Sequence, residues 1–155
     1  MKLTRYTDYA LRIMTHLAKV PDGLVAIHAL AAACDAPENH VMKVTPTLVR
    51  GGFVMSTRGR GGGLRLGRPA EEIHLGDIVR LTESGFDLES CSDCALESRC
   101  KLKQAIALAG EAFLAVLNQF TLADMLDAGP DSVSIKVAHL QPILLGSLSA
   151  PCRTP

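Results

Sequence analysis

Three of the five cysteines of this 155-residue chain fall within ten residues, in CSDCALESRC. Cys91, Cys94 and Cys100 are thiols in a polar stretch, so packing alone gives little reason for them to cluster. Thiolates ligate soft and borderline metals, and a Cys-x-x-Cys pair also supports disulfide exchange. Three is one short of a four-ligand site and odd for a disulfide framework. A metal site here needs a fourth ligand from elsewhere. Cys34 and Cys152 stand apart: Cys34 ends a short apolar helical pattern and reads as a buried small residue, and Cys152 lies in a patternless tail.

A second set of residues has different chemistry. Asn39, His40, Lys43, Thr47 and Arg50 lie in the periodic segment 38–50, and Arg58 and Arg60 lie among glycines in RGRGGG. Asn and Arg pair with base edges, and Lys and Arg hold phosphates. Charge is distributed to match. Residues 1–70 carry ten Lys/Arg against four Asp/Glu, net +6, and the remainder carries net −6 although the whole chain is neutral. The basic half suits a polyanion.

The elements that must position these groups follow from periodicity. Residues 4–19 place Tyr6, Tyr9, Ala10, Ile13, Met14 and Leu17 at helical spacing, with Thr4 or Thr7 as the cap. Residues 27–34 form a shorter helix. After the turn DAPE, a third helix runs from Glu38 to Arg50 and stops at Gly51-Gly52, with Val41, Val44 and Leu48 facing inward. Two helices joined by a tight turn, the second polar and basic, make a helix-turn-helix; a plain helical hairpin is the alternative. Pro46 should kink or shorten the third helix, because it removes one backbone bond and crowds the preceding turn. Strands at 53–57 and 64–67 around RGRGGG then form a hairpin, which makes the unit a winged helix with Arg58 and Arg60 at the wing tip. Arginine favours narrow minor grooves. A short helix at 76–83 precedes the cysteine loop. Residues 100–120 form the longest periodic run, with a stripe of Leu102, Ala105, Ile106, Ala109, Phe113, Val116, Leu117 and Phe120, and 121–127 a short helix. The stripe is long enough to call for a second protomer.

The fold class expected is therefore mainly α with a small β-hairpin: a winged helix-turn-helix plus a long dimerisation helix. The expected organisation is a DNA-binding domain over 1–83, a cysteine-rich loop over 84–100, the long helix and a short follower over 101–128, and a tail over 129–155. Apolar residues make up 48% of the chain and aromatics 4%, so Leu, Ala, Val and Ile must fill the core. Charges at Lys2, Arg5, Asp8 and Arg12 interrupt any signal-peptide run, and no stretch is long and uncharged enough to span a bilayer. A cytoplasmic protein with no membrane association is expected, where clustered thiols point to metal or redox chemistry. No nucleophile–base pair, paired carboxylates or cofactor loop is present, so an enzyme is not expected.

The segments LTRYTDYALR, RGRGGGLRLGRP, IHLGDIVRLTE, the cysteine loop and CKLKQAIALAGEAFLAVLNQFTLADML together resemble the Rrf2 family of bacterial regulators, over about residues 1–128. The resemblance implies a homodimeric winged-helix repressor on a double-stranded DNA operator, controlled by an iron–sulfur cluster of two or four irons. Cys91, Cys94 and Cys100 would be three of its ligands. One branch of the family takes a histidine as the fourth; Lys103 stands there and as an ammonium cannot ligate. The nitric-oxide-sensing NsrR type can take an aspartate from the first helix of the other subunit, and Asp8 occupies that place. The resemblance is greatest to this type and implies nitric oxide as the signal. Iron or iron–sulfur homeostasis on the same fold, and redox or electron transfer through the cysteine loop, are the alternative functions. Zinc and a metal-free thiol switch are the alternative chemistries. Without the resemblance, Asp8 reads as an acidic residue favoured in a helix first turn. The two-residue gap between Cys91 and Cys94 is shorter than the family's usual gap.

Overall fold

The computed structural model describes residues 2–85 and 101–126, except the side chain of Lys103. The cysteine loop and the C-terminal tail lie outside the described residues, and with them Cys91, Cys94, Cys100 and Cys152.

Three helices form the centre: α1 (Arg5–Ala18), α2 (Ile27–Ala33) and α3 (Glu38–Arg50). Thr4 caps α1, its hydroxyl accepting from the Thr7 amide at 3.3 Å. The buried face of α1 is Thr7, Ala10, Ile13, Met14, Leu17 and Ala18. Tyr6 and Tyr9 were expected on this stripe but sit at its rim, only partly buried. A phenol needs a partner for its hydroxyl, and the rim supplies one. Thr7 takes the inner position, its hydroxyl 3.2 Å from that of Thr4.

The turn from α2 to α3 closes by two backbone bonds, Ala36 N to Ala31 O at 3.0 Å and Asp35 N to Ala32 O at 3.3 Å. Asp35 adopts φ 47°, the left-handed conformation this helix ending needs. The same ending closes α3: Phe53 N bonds to Leu48 O and Gly52 N to Val49 O, both at 3.0 Å, with Gly52 at φ 72°. Leu48 and Phe53, the apolar pair that accompanies this motif, are both buried.

Pro46 does not shorten α3, which continues through it to Arg50. Pro46 and Met42 both lie on the exposed side of the helix, away from the packed core.

The wing is an antiparallel pair, β1 (Val54–Thr57) and β2 (Gly63–Leu66), with Val54 opposite Leu66 and Thr57 opposite Gly63. Val25, between α1 and α2, extends this sheet. Its amide and carbonyl exchange two 2.9 Å bonds with Leu64. The wing is thereby tied to the base of the helix-turn-helix. Val25 had no strand signal of its own in the sequence.

After a 3-10 turn (Ala70–Glu72), α4 (Leu75–Thr82) packs on α1 and α3, and α5 (Lys101–Leu117) packs on α4. The chain leaving α5 returns to the start of α4, where Leu75 N bonds to Phe120 O and Leu122 N to Ile73 O. The short helix expected over 121–127 is a single 3-10 turn, Ala123–Met125, with Asp124 Oδ2 accepting from the Thr121 amide and hydroxyl. The apolar residue buried here is Leu122, which precedes the turn.

Along α5, Gly110 and Leu114 are buried in this chain, whereas Leu102, Ala105 and Ala109 of the expected stripe are exposed. One core runs through α1, α2, α3 and the hairpin and includes Ile73, Ile78 and Leu122.

Candidate nucleic-acid interface

The inward face of α3 is Val41, Val44, Thr45 and Leu48, all buried. Its opposite face carries Asn39, Lys43, Pro46 and Arg50, all exposed and spaced i, i+4, i+7, i+11, so they lie along one line. This places three of the expected DNA-reading side chains together on the outer face of the second helix of a helix-turn-helix.

Thr47 and His40 lie on the border of that face, next to α1. The Tyr6 hydroxyl donates to Thr47 Oγ1 at 2.7 Å and approaches the Lys43 carbonyl at 3.4 Å. Arg50 Nη2 donates to the same Thr47 oxygen at 3.1 Å. Thr47 thus anchors the guanidinium of Arg50 and is itself held by α1. The His40 ring packs on Tyr9, with centroids 5.2 Å apart, and is partly buried. His40 and Thr47 are therefore less open to a ligand than Asn39, Lys43 and Arg50. The sequence shows Tyr6 only as part of the helical spacing of α1, and its role in fixing Thr47 has no signal there.

Arg58 and Arg60 are both exposed at the wing tip, where Gly59 and Gly61 turn the chain at φ 100° and 79°. An open groove lined by His28, Glu38, Ser56, Arg58 and Leu64 separates the wing from the start of α3. Arg68 anchors the wing base, its guanidinium 4.5 Å from the centre of the Phe53 ring. On α3 and the wing, Lys43, Arg50, Arg58 and Arg60 are all exposed, and none of the four has an ion-pair partner among the described residues.

Asp8 lies apart from this face. It is half exposed in the first turn of α1 and makes a 3.0 Å ion pair with Arg12, four residues on. Arg12 also donates to the Cys34 carbonyl at 3.4 Å. Cys34 is buried and free; burial pushes its thiol pKa up, opposed by the nearby Arg12. Among the described residues no group of three or more His, Cys, Asp or Glu side chains could hold a metal ion.

A winged helix-turn-helix with these exposed side chains is a DNA-reading architecture, and comparison with known proteins identifies its lineage. The Rrf2 model, described as an iron-dependent transcriptional regulator, matches residues 3–128. The chain belongs to the Rrf2 family.

Among solved structures, this Rrf2 chain is similar to CymR (YrzC), described as the global cysteine regulator of B. subtilis, at 28% identity and TM-score 0.64, over 81% of this chain and 95% of that one. It is similar to T. potens IscR at 28% identity and TM-score 0.66, over 81% and 86% of the two chains. The oxidized form of Staphylococcus aureus CymR matches at 29% identity and TM-score 0.65, over 83% and 98%. The fold class expected from the sequence holds: the protein is mainly helical, with a two-stranded wing. This Rrf2 member is a transcriptional regulator rather than an enzyme. Among the described residues no helix is long and apolar enough to cross a membrane.

Proposed function

We propose that this Rrf2 protein is a homodimeric repressor in the cytoplasm whose grip on a double-stranded operator is set by an iron–sulfur cluster, with nitric oxide as the signal. Each subunit offers Asn39, Lys43 and Arg50 to base edges and phosphates and Arg58 and Arg60 to the adjacent groove, with Thr47 and His40 on the border. The observation that carries the cluster reading is the grouping of Cys91, Cys94 and Cys100 in a chain whose family is described as iron-dependent. Asp8 of the partner subunit completes the ligand set. Its half-exposed carboxylate is accessible to a second chain, and its bond to Arg12 is a surface ion pair, weak enough to exchange for a metal ligand.

When bound, the cluster supplies a site that nitric oxide or oxidants can dismantle. The rest of the mechanism belongs to the chain. Asp8 lies on α1, the helix whose Tyr6 holds Thr47 and, through it, Arg50. A force on α1 from the partner is therefore delivered to the recognition helix. Two half-sites at fixed spacing are matched together only while the two recognition helices keep their separation, so a small shift of α1 releases DNA.

A second reading has its own support: the similarity to an oxidized CymR and to a global cysteine regulator favours a thiol switch. One experiment separates them. Protein purified without oxygen should be brown, with iron and sulfide in comparable amounts. An Asp8→Ala variant should lose its visible absorption faster, and nitric oxide should bleach the wild type. A colourless protein after anaerobic reconstitution would overturn the cluster reading and leave a thiol switch or zinc.

A further inference from the structure

The recognition helix exposes apolar surface that its core does not use. Met42 is 50% exposed and Val49 37% exposed, and Pro46 between them is also exposed. These are not scattered positions. Residues 42, 46 and 49 are spaced i, i+4 and i+7, so they form one line along α3. That line runs beside the polar line of Asn39, Lys43 and Arg50, with Pro46 common to both. The inward face is complete without it, since Val41, Val44, Thr45 and Leu48 supply the contacts to the core.

What covers this line follows from its neighbours. Lys43 and Arg50 lie on the line next to it, and Arg58 and Arg60 are exposed on the wing that follows. A surface that presents apolar groups beside cations that have no ion-pair partner among the described residues fits a polyanion that carries apolar groups of its own. Duplex DNA has one such group in its major groove, the C5-methyl of thymine; the other base edges there are hydrogen-bond donors and acceptors. Pro46 adds a second reason. It has no amide proton, and its ring turns what would be a polar helix position into a hydrocarbon surface. Asn39, on the adjacent line, is suited to adenine.

We infer that Met42, Pro46 and Val49 form an apolar reading edge that selects thymine methyl groups in the operator. The inference rests on the DNA-binding reading above and adds the base it recognises.

The test uses the full-length protein and a random duplex library. Duplexes retained by the protein are sequenced, and the enriched site is resynthesised with deoxyuridine replacing thymidine one position at a time. This removes a single methyl and leaves base pairing intact. At fixed salt, at least one replacement should weaken binding about fourfold, the effect of losing one buried methyl. Replacing that T·A pair by 5-methylcytosine·G should bind more tightly than the unmethylated C·G pair. Met42→Ala and Val49→Ala alter exposed positions, and their folding is checked by thermal melting. At least one of them should bind the thymidine and deoxyuridine duplexes equally. An enriched site whose deoxyuridine forms all bind as tightly as the parent overturns the thymine edge and leaves the DNA-binding reading standing. A methyl dependence unchanged in both variants overturns the assignment to this line. Failure to enrich any duplex overturns both.

Discussion

At the residue scale, several side chains do work that their type alone would not announce. Asp35 and Gly52 both take left-handed backbone conformations, at φ 47° and 72°, each closing a helix of the helix-turn-helix. Aspartate tolerates this conformation because its short polar chain bonds locally; glycine adopts it without a Cβ penalty. Space does not limit Gly52, since a Cβ there would meet nothing within 4 Å. Gly52→Ala should therefore lose about 1 kcal/mol from backbone strain alone, measured by urea denaturation, with an unchanged spectrum in the native baseline. A loss several times larger would mean that α3 and the wing are coupled through this residue more tightly than the backbone argument allows. Most of this scale was partly legible. Glycines after a periodic run announce a helix end. The left-handed aspartate, the partnership of Tyr6 with Thr47 and the ion pair of Asp8 with Arg12 depend on neighbours that a residue list does not specify.

At the element scale, the recognition helix and the wing form one presenting surface because Val25 ties the hairpin to the start of α2 and the α3 ending delivers Phe53 into the core. The wing arginines are exposed on a tip with positive-φ glycines on both sides of Arg60. Their contribution to binding should be electrostatic. Arg58→Ala with Arg60→Ala should weaken duplex binding across sequences and lower the slope of log affinity against log salt by about 2, one per lost phosphate contact. Fluorescence anisotropy over a salt series reads this directly. An unchanged slope would remove the wing from the interface. Helix and strand limits on either side of the wing were legible to within one or two residues. The change from helical to two-residue periodicity, with glycines between, is a local signal. The bridge at Val25 was not legible, because one residue cannot show a period.

At the scale of the whole molecule, the question is what covers α5. Its inner face packs on α4, Gly110 and Leu114 are buried, and Arg80 pairs with Glu111 at 3.0 Å across the two helices. Leu102 and Leu108 are left 61% and 57% exposed. A symmetric pairing of two α5 helices would bury them. Leu102→Glu with Leu108→Glu should then convert a dimer to a folded monomer in sedimentation experiments, since neither residue supports the core of its own chain. A wild-type monomer at micromolar concentration, or a variant that stays dimeric, would show that the pairing lies elsewhere. The sequence by itself determined the order of the helices α1 to α5 and of the two wing strands, the outward line of Asn39, Lys43 and Arg50, and the arginines of the wing, because periodicity, caps and glycines act over a few residues. Only the tertiary structure decided which face of α5 the chain covers, that Tyr6 and Tyr9 meet α3 at the rim of the core, and that Pro46 sits on the open side of its helix. Each of those depends on which surfaces meet across some thirty or more positions of chain. The free energy of such a meeting belongs to the pair of surfaces, and neither segment alone encodes it.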